Sequence, residues 1–311
     1  MPYFRFSNAS FPVERSAPSR TYNRYRIGKI IDGDLYLDKF EISYLVLQAK
    51  YPFGNMESSA RLSLLSEFLD QENDLETTLA FSHLKAKGYT IKGEQSTLRI
   101  RKKSSRQWEF LVIVQREDEY LRLEANEPPE AVIYCIVDEE GDVSFYSISR
   151  DDPTGSNMVE DADYKPVKIG KYLLQGNTNE STKIKRIGFD IYLSSKQFDD
   201  FALLPEDLLL LVKDLKDRGI IARTGFKYGA NFRLYTRSIE EHSDYLLLYA
   251  ENKQLKWYEI SRAVRVASAV HKSLLIAYNS DGIRYLKIKR QPPGNQLRIN
   301  QTTANNKYIR R

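Results

Sequence analysis

Two stretches of the sequence follow one pattern, and this similarity is the strongest constraint on the fold. Residues 79–103 and 209–237 each read as a helix that ends in Leu-Lys-x-basic-Gly, followed by short strands rich in basic and apolar residues. Gly88 and Gly219 stand just after the helix ends, where a positive φ is favoured. Two copies are too few for a solenoid. The sequence therefore predicts an internal duplication, with two tandem halves of mixed α+β structure.

The two halves differ in the residue types that carry chemistry. Aligning LRIR of the first half with FRLY of the second places Arg101 opposite Tyr235. The first half has no histidine in the stretch that corresponds to His242. We also predict corresponding β-hairpins at 131–148, with the turn EEGD, and at 244–260. Any proton-transfer chemistry is therefore expected in the second half.

A helix, a buried strand and a basic strand are predicted near the end of the second half. Ser261 is predicted to cap a helix whose apolar positions Val264, Ala267 and Val270 are three residues apart. Arg265 and Lys272 lie seven residues apart, on one helix face. Residues 274–278 read as a buried strand, 279–282 as a turn and 283–290 as an alternating basic strand.

The cysteine and charge content excludes several classes of protein. The single cysteine, Cys135, lies in an apolar run, so it can form no disulfide within the chain and no multi-cysteine metal site. No apolar stretch reaches the length of about 18 residues that a membrane span needs, and a reducing cytoplasm is predicted. Residues 283–311 carry eight Lys or Arg and no acid. The basic N-terminal and C-terminal ends of the chain are either solvated tails or phosphate-binding segments.

Three segments of the second half carry a family resemblance. The motifs DLKDRGIIARTGFKYGANFRLY, EHSDYLLL and SRAVRVASAVHKSLLIAY resemble the catalytic repeat of the archaeal tRNA-splicing endonucleases, in their two-repeat form with a degenerate first repeat. The resemblance covers about residues 28–290. The domains it implies are a basic N-terminal extension (1–27), a degenerate repeat (28–150), an acidic linker (151–164), a catalytic repeat (165–290) and a basic C-terminal tail (291–311).

The resemblance implies a metal-independent RNA-cleaving site without a cofactor. Its three catalytic residues fall on Tyr235, His242 and Lys272. Two arginines that grip a bulged base fall on Arg265 and on Arg290, with Lys287 as the alternative for the second. The implied substrate is precursor tRNA with a bulge-helix-bulge, cut to 2′,3′-cyclic phosphate and 5′-hydroxyl ends.

The chemistry of such a cleavage agrees with these residue types. Attack by a 2′-hydroxyl on the adjacent phosphorus needs one group to remove a proton and another to protonate the leaving 5′-oxygen. Histidine suits the acid role near neutral pH. Tyrosine needs nearby cations as a base, and Lys272, with Arg233 or Arg237, would favour its phenolate. Tyr228 is the rival base. His271 and His83 are interpreted as a surface residue and a structural residue.

An acidic cluster lies at the predicted turn of the first half. The cluster has three interpretations. It is an exposed hairpin turn, a divalent metal site or, as the resemblance implies, a loop that docks into a basic cleft of a second copy. Its residues are Asp138, Glu139, Glu140 and Asp142. The docked assembly would be a two-fold homodimer. Two further functional classes stay open, a metal-dependent nuclease and a noncatalytic RNA-binding or structural subunit. Chelator sensitivity separates the first of these from the metal-independent enzyme.

Overall fold

The computed structural model describes residues 4–6, 17–50, 53–123, 132–157, 167–169, 172–174, 206–238 and 240–291. The chain divides into two compact units. Of the described residues, those up to 117, with 132–146 and 291, lie in the first unit, and 118–123 with those from 147 to 290 lie in the second. Both units combine helices with β-strands, which confirms the α+β class.

The first unit contains a small sheet, a group of helices and a mixed sheet. In chain order its elements are β1 (Phe4–Phe6), α1 (Ala17–Tyr25), β2 (Lys29–Ile31), β3 (Asp34–Leu37), α2 (Lys39–Leu47), α3 (Ser58–Phe68), α4 (Asp74–Ala86), β4 (Thr90–Glu94), β5 (Thr97–Arg101), β6 (Phe110–Arg116), β8 (Val132–Val137) and the start of β9 (Val143–Asp151). Its core includes Phe40, Phe81, Leu98 and Cys135. Cys135 is fully buried, as predicted, and burial raises the pKa of its thiol.

The described part of the N-terminal segment belongs to the fold of this unit. Helix α1 contacts β3 and β2, Thr21 is fully buried, and Ile27 is part of the core. Strand β1 pairs with β3. Residues 17–27, which the sequence predicted as part of a basic N-terminal extension, therefore pack within the first unit.

The second unit contains the remaining elements. In chain order they are β7 (Tyr120–Arg122), the end of β9, β10 (Val167–Ile169), β11 (Tyr172–Leu174), α5 (Glu206–Asp217), β12 (Ile221–Thr224), β13 (Phe232–Tyr235), β14 (Tyr245–Tyr249), β15 (Gln254–Lys256), α6 (Trp257–Ala269), β16 (Ser273–Asn279) and β17 (Ile283–Arg290). Helix α5 and strands β12, β13, β14, β16 and β17 share one apolar core. Within the described residues, no helix is long and apolar enough to cross a bilayer.

The two units share one order of elements and one pattern of strand pairing. Helix α4 is followed by the antiparallel strands β4, β5 and β6, and β8 then pairs parallel to β6. Helix α5 is followed by the antiparallel strands β12, β13 and β14, and β16 pairs parallel to β14. Gly88 and Gly219 end the two helices with φ of 86° and 70°. At both ends the two hydrogen bonds of a Schellman motif are present, which confirms the predicted helix ends.

The register of the first hairpin in each unit relates Arg101 to Tyr235. Thr90, two residues after Gly88, pairs with Arg101. Ile221, two residues after Gly219, pairs with Tyr235. The strands therefore place Arg101 and Tyr235 at equivalent positions.

Two local predictions for the second unit are wrong. Strand β14 is followed by β15, which pairs with β7 rather than with β14, so residues 244–260 form no hairpin. The prediction failed because α6 connects the parallel strands β14 and β16, and such strands need a long crossover. Helix α6 begins at Trp257, one turn before the predicted cap, and Ser261 is buried inside it. The predictions of a strand at 274–278 and of a strand at 283–290 are confirmed.

Candidate active site

Tyr235 lies at the last position of β13, where the strand meets the segment that follows β9. Only 7% of the Tyr235 surface is exposed. The side-chain amide of Asn157 donates to the backbone carbonyls of Tyr235 and Gly219, both at 3.0 Å. The Arg233 guanidinium lies 5.9 Å from the centroid of the Tyr235 ring. Tyr235 is therefore held from the backbone side by Asn157 and has a cation beside its ring.

Residues 152–157 form a strap against the strand end that carries Tyr235. Gly155 donates to the carbonyl of Arg218 at 2.8 Å, and Ser156 donates to the carbonyl of Thr236 at 2.7 Å. A Cβ on Gly155 would lie 2.1 Å from the carbonyl oxygen of Gly219, so no larger residue fits there. Part of the predicted acidic linker (151–164) is therefore hydrogen-bonded to the second unit, and residues 158–164 lie outside the described residues. Acidic composition predicted a linker because the backbone contacts of the glycine are not visible in it.

His242 lies on the short loop between β13 and β14, with its side chain exposed. Asp244 closes this loop. Its Oδ2 accepts from the Thr236 backbone N–H at 3.0 Å and from the Thr236 hydroxyl at 2.6 Å. Its backbone N–H donates to the carbonyl of Leu234 at 2.9 Å. These hydrogen bonds hold the loop of His242 against the strand of Tyr235.

Lys272 follows directly after the end of α6. Its backbone N–H donates to the carbonyl of Ala267 at 2.8 Å, and that of His271 donates to Ser268 at 3.2 Å. These two bonds form a Schellman motif, with His271 in the left-handed conformation (φ 56°) that usually takes glycine. The Lys272 ammonium donates to the carbonyl of Ser243, the residue after His242. The end of α6 therefore places the Lys272 ammonium against the loop of His242.

One contact chain thus connects the three predicted catalytic residues. Thr236, the neighbour of Tyr235, binds Asp244, and Ser243, the neighbour of His242, binds Lys272. Burial would raise the pKa of the Asp244 carboxyl, but the hydrogen bonds from Thr236 and the charges of Arg237 and Lys272 together lower it. Asp244 is therefore an anion that binds the strand of Tyr235 to the loop of His242 and interacts with the charge of the Lys272 ammonium.

The cations predicted to bind RNA occupy different environments. Arg265 is exposed on α6, and Arg290 is exposed at the end of β17. Lys287 forms an ion pair with Asp151 at 3.4 Å, and its ammonium lies 5.5 Å from the centroid of the Tyr245 ring. Lys287 therefore already has an anionic partner and an aromatic ring within its own unit.

The acidic turn between β8 and β9 has one structural and three exposed carboxylates. The Oδ1 of Asp138 accepts from the backbone N–H groups of Glu140 and Asp142 at 3.1 and 2.9 Å. Glu139, Glu140 and Asp142 are exposed. Among the described residues, no group of three His, Cys, Asp or Glu side chains is placed to hold a metal ion.

Comparisons with known proteins relate this chain to one family. Residues 206–285 match the family model "tRNA intron endonuclease, catalytic C-terminal domain". The tRNA-splicing endonuclease of Thermoplasma volcanium is 32% identical over 296 residues, which cover 90% of this chain and 95% of that protein. The chain belongs to the tRNA-splicing endonuclease family. A second tRNA-splicing endonuclease, from Picrophilus torridus, is 31% identical over 88% of this chain and 91% of its own length.

As a tRNA-splicing endonuclease, the chain is a tRNA-intron lyase with archaeal relatives. The residues that match the family model include Tyr235, His242, Arg265 and Lys272. Arg290 lies beyond the matched residues.

Sequence reasoning missed two residues of this tRNA-splicing endonuclease site. Asn157 contacts Tyr235 from 78 residues away along the chain, and no local pattern announces that contact. Asp244 stands two residues after His242, but only the structure shows its bonds to Thr236.

The other candidate residues lie elsewhere. Tyr228 lies in a short 3-10 helix at Phe226–Tyr228, and the ring centroid of His83 lies 5.6 Å from that of Phe145. Burial lowers the pKa of His83.

Replacing Asp244 by alanine is expected to lower both stability and activity of the endonuclease. The change leaves two Thr236 donors without their acceptor, which costs about 1–3 kcal/mol at a buried site and less here, where the carboxylate is 30% exposed. Because the Asp244 pKa is lowered in the folded state, its stabilisation is complete above the ordinary value of 3.8 and is lost as the pH falls through the folded pKa. Melting temperatures of the wild type and of Asp244→Ala should therefore differ at pH 7, and the difference should shrink as the pH falls below 3.8 through the folded pKa.

Glu241→Gln is the matched control for this experiment. Glu241 is a carboxylate on the same loop, 3.4 Å from Arg237, and its side chain is 49% exposed. We expect little change in melting temperature for this exposed pair. Equal effects of the two substitutions would show that Asp244 does not close the loop.

Proposed function

We propose that this endonuclease cuts intron-containing precursor tRNA at bulge-helix-bulge splice sites without a metal ion, leaving 2′,3′-cyclic phosphate and 5′-hydroxyl ends. Tyr235 is the general base, His242 is the general acid, and Lys272 stabilises charge on the phosphoryl oxygens. The observation that carries the proposal is the chain of hydrogen bonds that links the neighbours of Tyr235 and His242 to each other and to Lys272.

Each side chain has a feature that supports its role. Tyr235 is held through its backbone carbonyl at the end of β13 and has the Arg233 guanidinium beside its ring, so its position in the site is fixed. His242 is exposed, so it can reach the leaving 5′-oxygen of a bound RNA. The Lys272 ammonium has donors beyond the one that binds Ser243, and it can bind a phosphoryl oxygen as negative charge grows there.

The test of this function is cleavage of an end-labelled intron-containing precursor tRNA in EDTA. We expect cutting at both bulges, with every new 3′ end a cyclic phosphate and every new 5′ end a hydroxyl, because the 2′-oxygen is the nucleophile. Mass spectrometry of the products identifies the ends. An RNA with a single 2′-deoxy nucleotide at one splice site is the control, since only that site should resist. Cutting that requires a divalent cation, or 5′-phosphate ends, would overturn the mechanism.

Two arginines are proposed to hold a bulged base. Arg265 on α6 and Arg290 on β17 are both exposed, and guanidinium planes stack well on unpaired bases. Around each bulge they would come from different chains of a dimer. Such a grip reads the shape of the RNA more than the identity of its bases.

We also propose that the chain has a degenerate first repeat and a catalytic second repeat, and acts as a homodimer. The shared strand pairing of the two units and the equivalent positions of Arg101 and Tyr235 support the duplication. A tRNA-splicing endonuclease of Methanothermobacter thermautotrophicus supports it further, because the match covers 33% of this chain but 64% of that shorter protein. Two active sites related by a two-fold axis suit an RNA with two cuts.

Reversing the exposed charges of the acidic turn is expected to weaken the homodimer. Glu139, Glu140 and Asp142 would be changed to lysine, while Asp138 stays because it holds the turn. Like charges facing a basic cleft oppose docking. Sedimentation velocity at micromolar concentration should show a shift towards monomer that high salt lessens. Reversal of Glu57, Glu72 and Glu76, three acids of the same unit outside the turn, is the control. A dimer that survives the first reversal unchanged contradicts this contact.

A further inference from the structure

An exposed phenylalanine stands at the edge of the second unit beside the candidate active site. The Phe226 side chain is 86% exposed, the highest value among the exposed large apolar side chains of the described residues. It opens the short 3-10 helix Phe226–Tyr228, on the connection between β12 and β13. A large apolar side chain at this exposure makes few contacts of its own, so the fold gives no packing reason for it.

The Arg233 guanidinium lies near the rings of both Tyr228 and Tyr235 and so connects this helix to Tyr235. The Arg233 guanidinium lies 5.7 Å from the centroid of the Tyr228 ring and 5.9 Å from that of the Tyr235 ring. The Arg233 Nε donates to the carbonyl of Thr224 at 3.0 Å, which fixes the guanidinium on this connection. Tyr228, two residues after Phe226, is therefore connected to the proposed general base through Arg233.

Cations lie next to Phe226 in the chain and on helix α6, which packs against the 3-10 helix of Phe226. Lys227 is exposed beside Phe226. Arg262 of α6 lies against Gly229, where an added Cβ would come within 2.9 Å of its Nη2. Arg265 lies three residues further along α6, on the same helix face as Arg262. An apolar ring among guanidinium and ammonium groups matches a nucleotide, whose base has an apolar face and whose phosphate is an anion.

We propose that Phe226 stacks an unpaired nucleobase of the RNA next to the scissile phosphate, and that Arg262 binds the phosphate of that nucleotide. This subsite is separate from the grip by Arg265 and Arg290, and it rests on the proposed function because it assumes that RNA is bound at Tyr235. Stacking on an aromatic ring accepts any base, so the subsite adds affinity and register rather than base specificity.

Binding of an uncleavable RNA tests the subsite. The probe is a bulge-helix-bulge RNA with 2′-deoxy nucleotides at both cleavage sites, and the full chain is used. We expect Phe226→Ser to raise the Kd roughly 5- to 100-fold, the range for loss of one stacked base. Arg262→Gln should lower the slope of log Kd against log salt by about 1. Leu210→Ser is the control, because Leu210 is also an exposed apolar residue (46%) but lies on α5.

A fluorescent base locates the stacked nucleotide. 2-Aminopurine is placed at one position of the bulge at a time, and one position should change its fluorescence on binding to the wild type but not to Phe226→Ser. Equal Kd values for the wild type and Phe226→Ser would overturn the subsite. A larger Kd for Phe226→Ser together with a smaller sedimentation coefficient of that variant would also overturn it, since Phe226 would then contact a second copy of the chain. A wild type that fails to bind this RNA would instead refute the proposed function.

Discussion

His242→Ala is expected to slow cleavage of precursor tRNA by about 10²- to 10⁴-fold, the usual contribution of a general acid. The imidazole is exposed on its loop, and the loop is closed by Asp244 and Lys272 rather than by His242 itself. The melting temperature should therefore stay close to that of the wild type. Single-turnover rates with saturating enzyme measure the chemical step without a contribution from binding.

A modified leaving group distinguishes a general acid from a residue that only positions the RNA. When the 5′-bridging oxygen at the splice site is replaced by sulfur, the leaving group is a thiolate, which needs no proton because thiols ionise near pH 8.5. The His242→Ala enzyme should cut this RNA nearly as fast as the wild type does. If the loss persists with the sulfur substrate, His242 is not the acid.

His271→Asn is the matched histidine control. It removes the second exposed imidazole of the unit, only one residue from Lys272, yet asparagine tolerates the left-handed backbone that His271 adopts at the end of α6. We expect its cleavage rate to stay within a few-fold of the wild type. A loss as large as that of His242→Ala would exchange the roles of the two histidines.

Tyr235→Phe is expected to cause a loss of the same order, about 10²- to 10⁴-fold, because it removes the proposed base and leaves the ring in place. The backbone contacts of Asn157 with Tyr235 do not depend on the hydroxyl, so the strand end should keep its structure. Sulfur at the leaving position should not rescue this variant, since the 2′-hydroxyl must still lose its proton.

Tyr228→Phe is the control for the rival base. Tyr228 shares the Arg233 guanidinium with Tyr235, and the substitution keeps its ring for that contact. A near-normal rate for Tyr228→Phe beside a severe loss for Tyr235→Phe would assign the base to Tyr235. The reverse result would move the base to the connection between β12 and β13. Together, the two tyrosine variants and the sulfur substrate separate the removal of a proton from its donation.

Local sequence patterns were sufficient wherever one element determines the outcome. The glycine pair Gly88 and Gly219 predicted both helix ends, because a left-handed residue after a helix is a local requirement. The alternation in 283–290 predicted β17. The predicted start of α6 was wrong because the helix begins one turn earlier, at Trp257, a fully buried residue seven positions before Val264.

The sequence by itself determined the α+β class, the ends of the two glycine-terminated helices and the family, since each of these follows from local patterns of residues. Only the tertiary structure decided what supports the candidate site. Asn157 reaches Tyr235, Asp244 reaches Thr236, and Lys272 reaches Ser243. The partners of Asn157 and Lys272 lie far along the chain, and a hydrogen bond between distant residues depends on strand register and helix ends that no local pattern specifies. The position of Arg233 near the rings of Tyr228 and Tyr235 likewise depends on the pairing of β12 with β13.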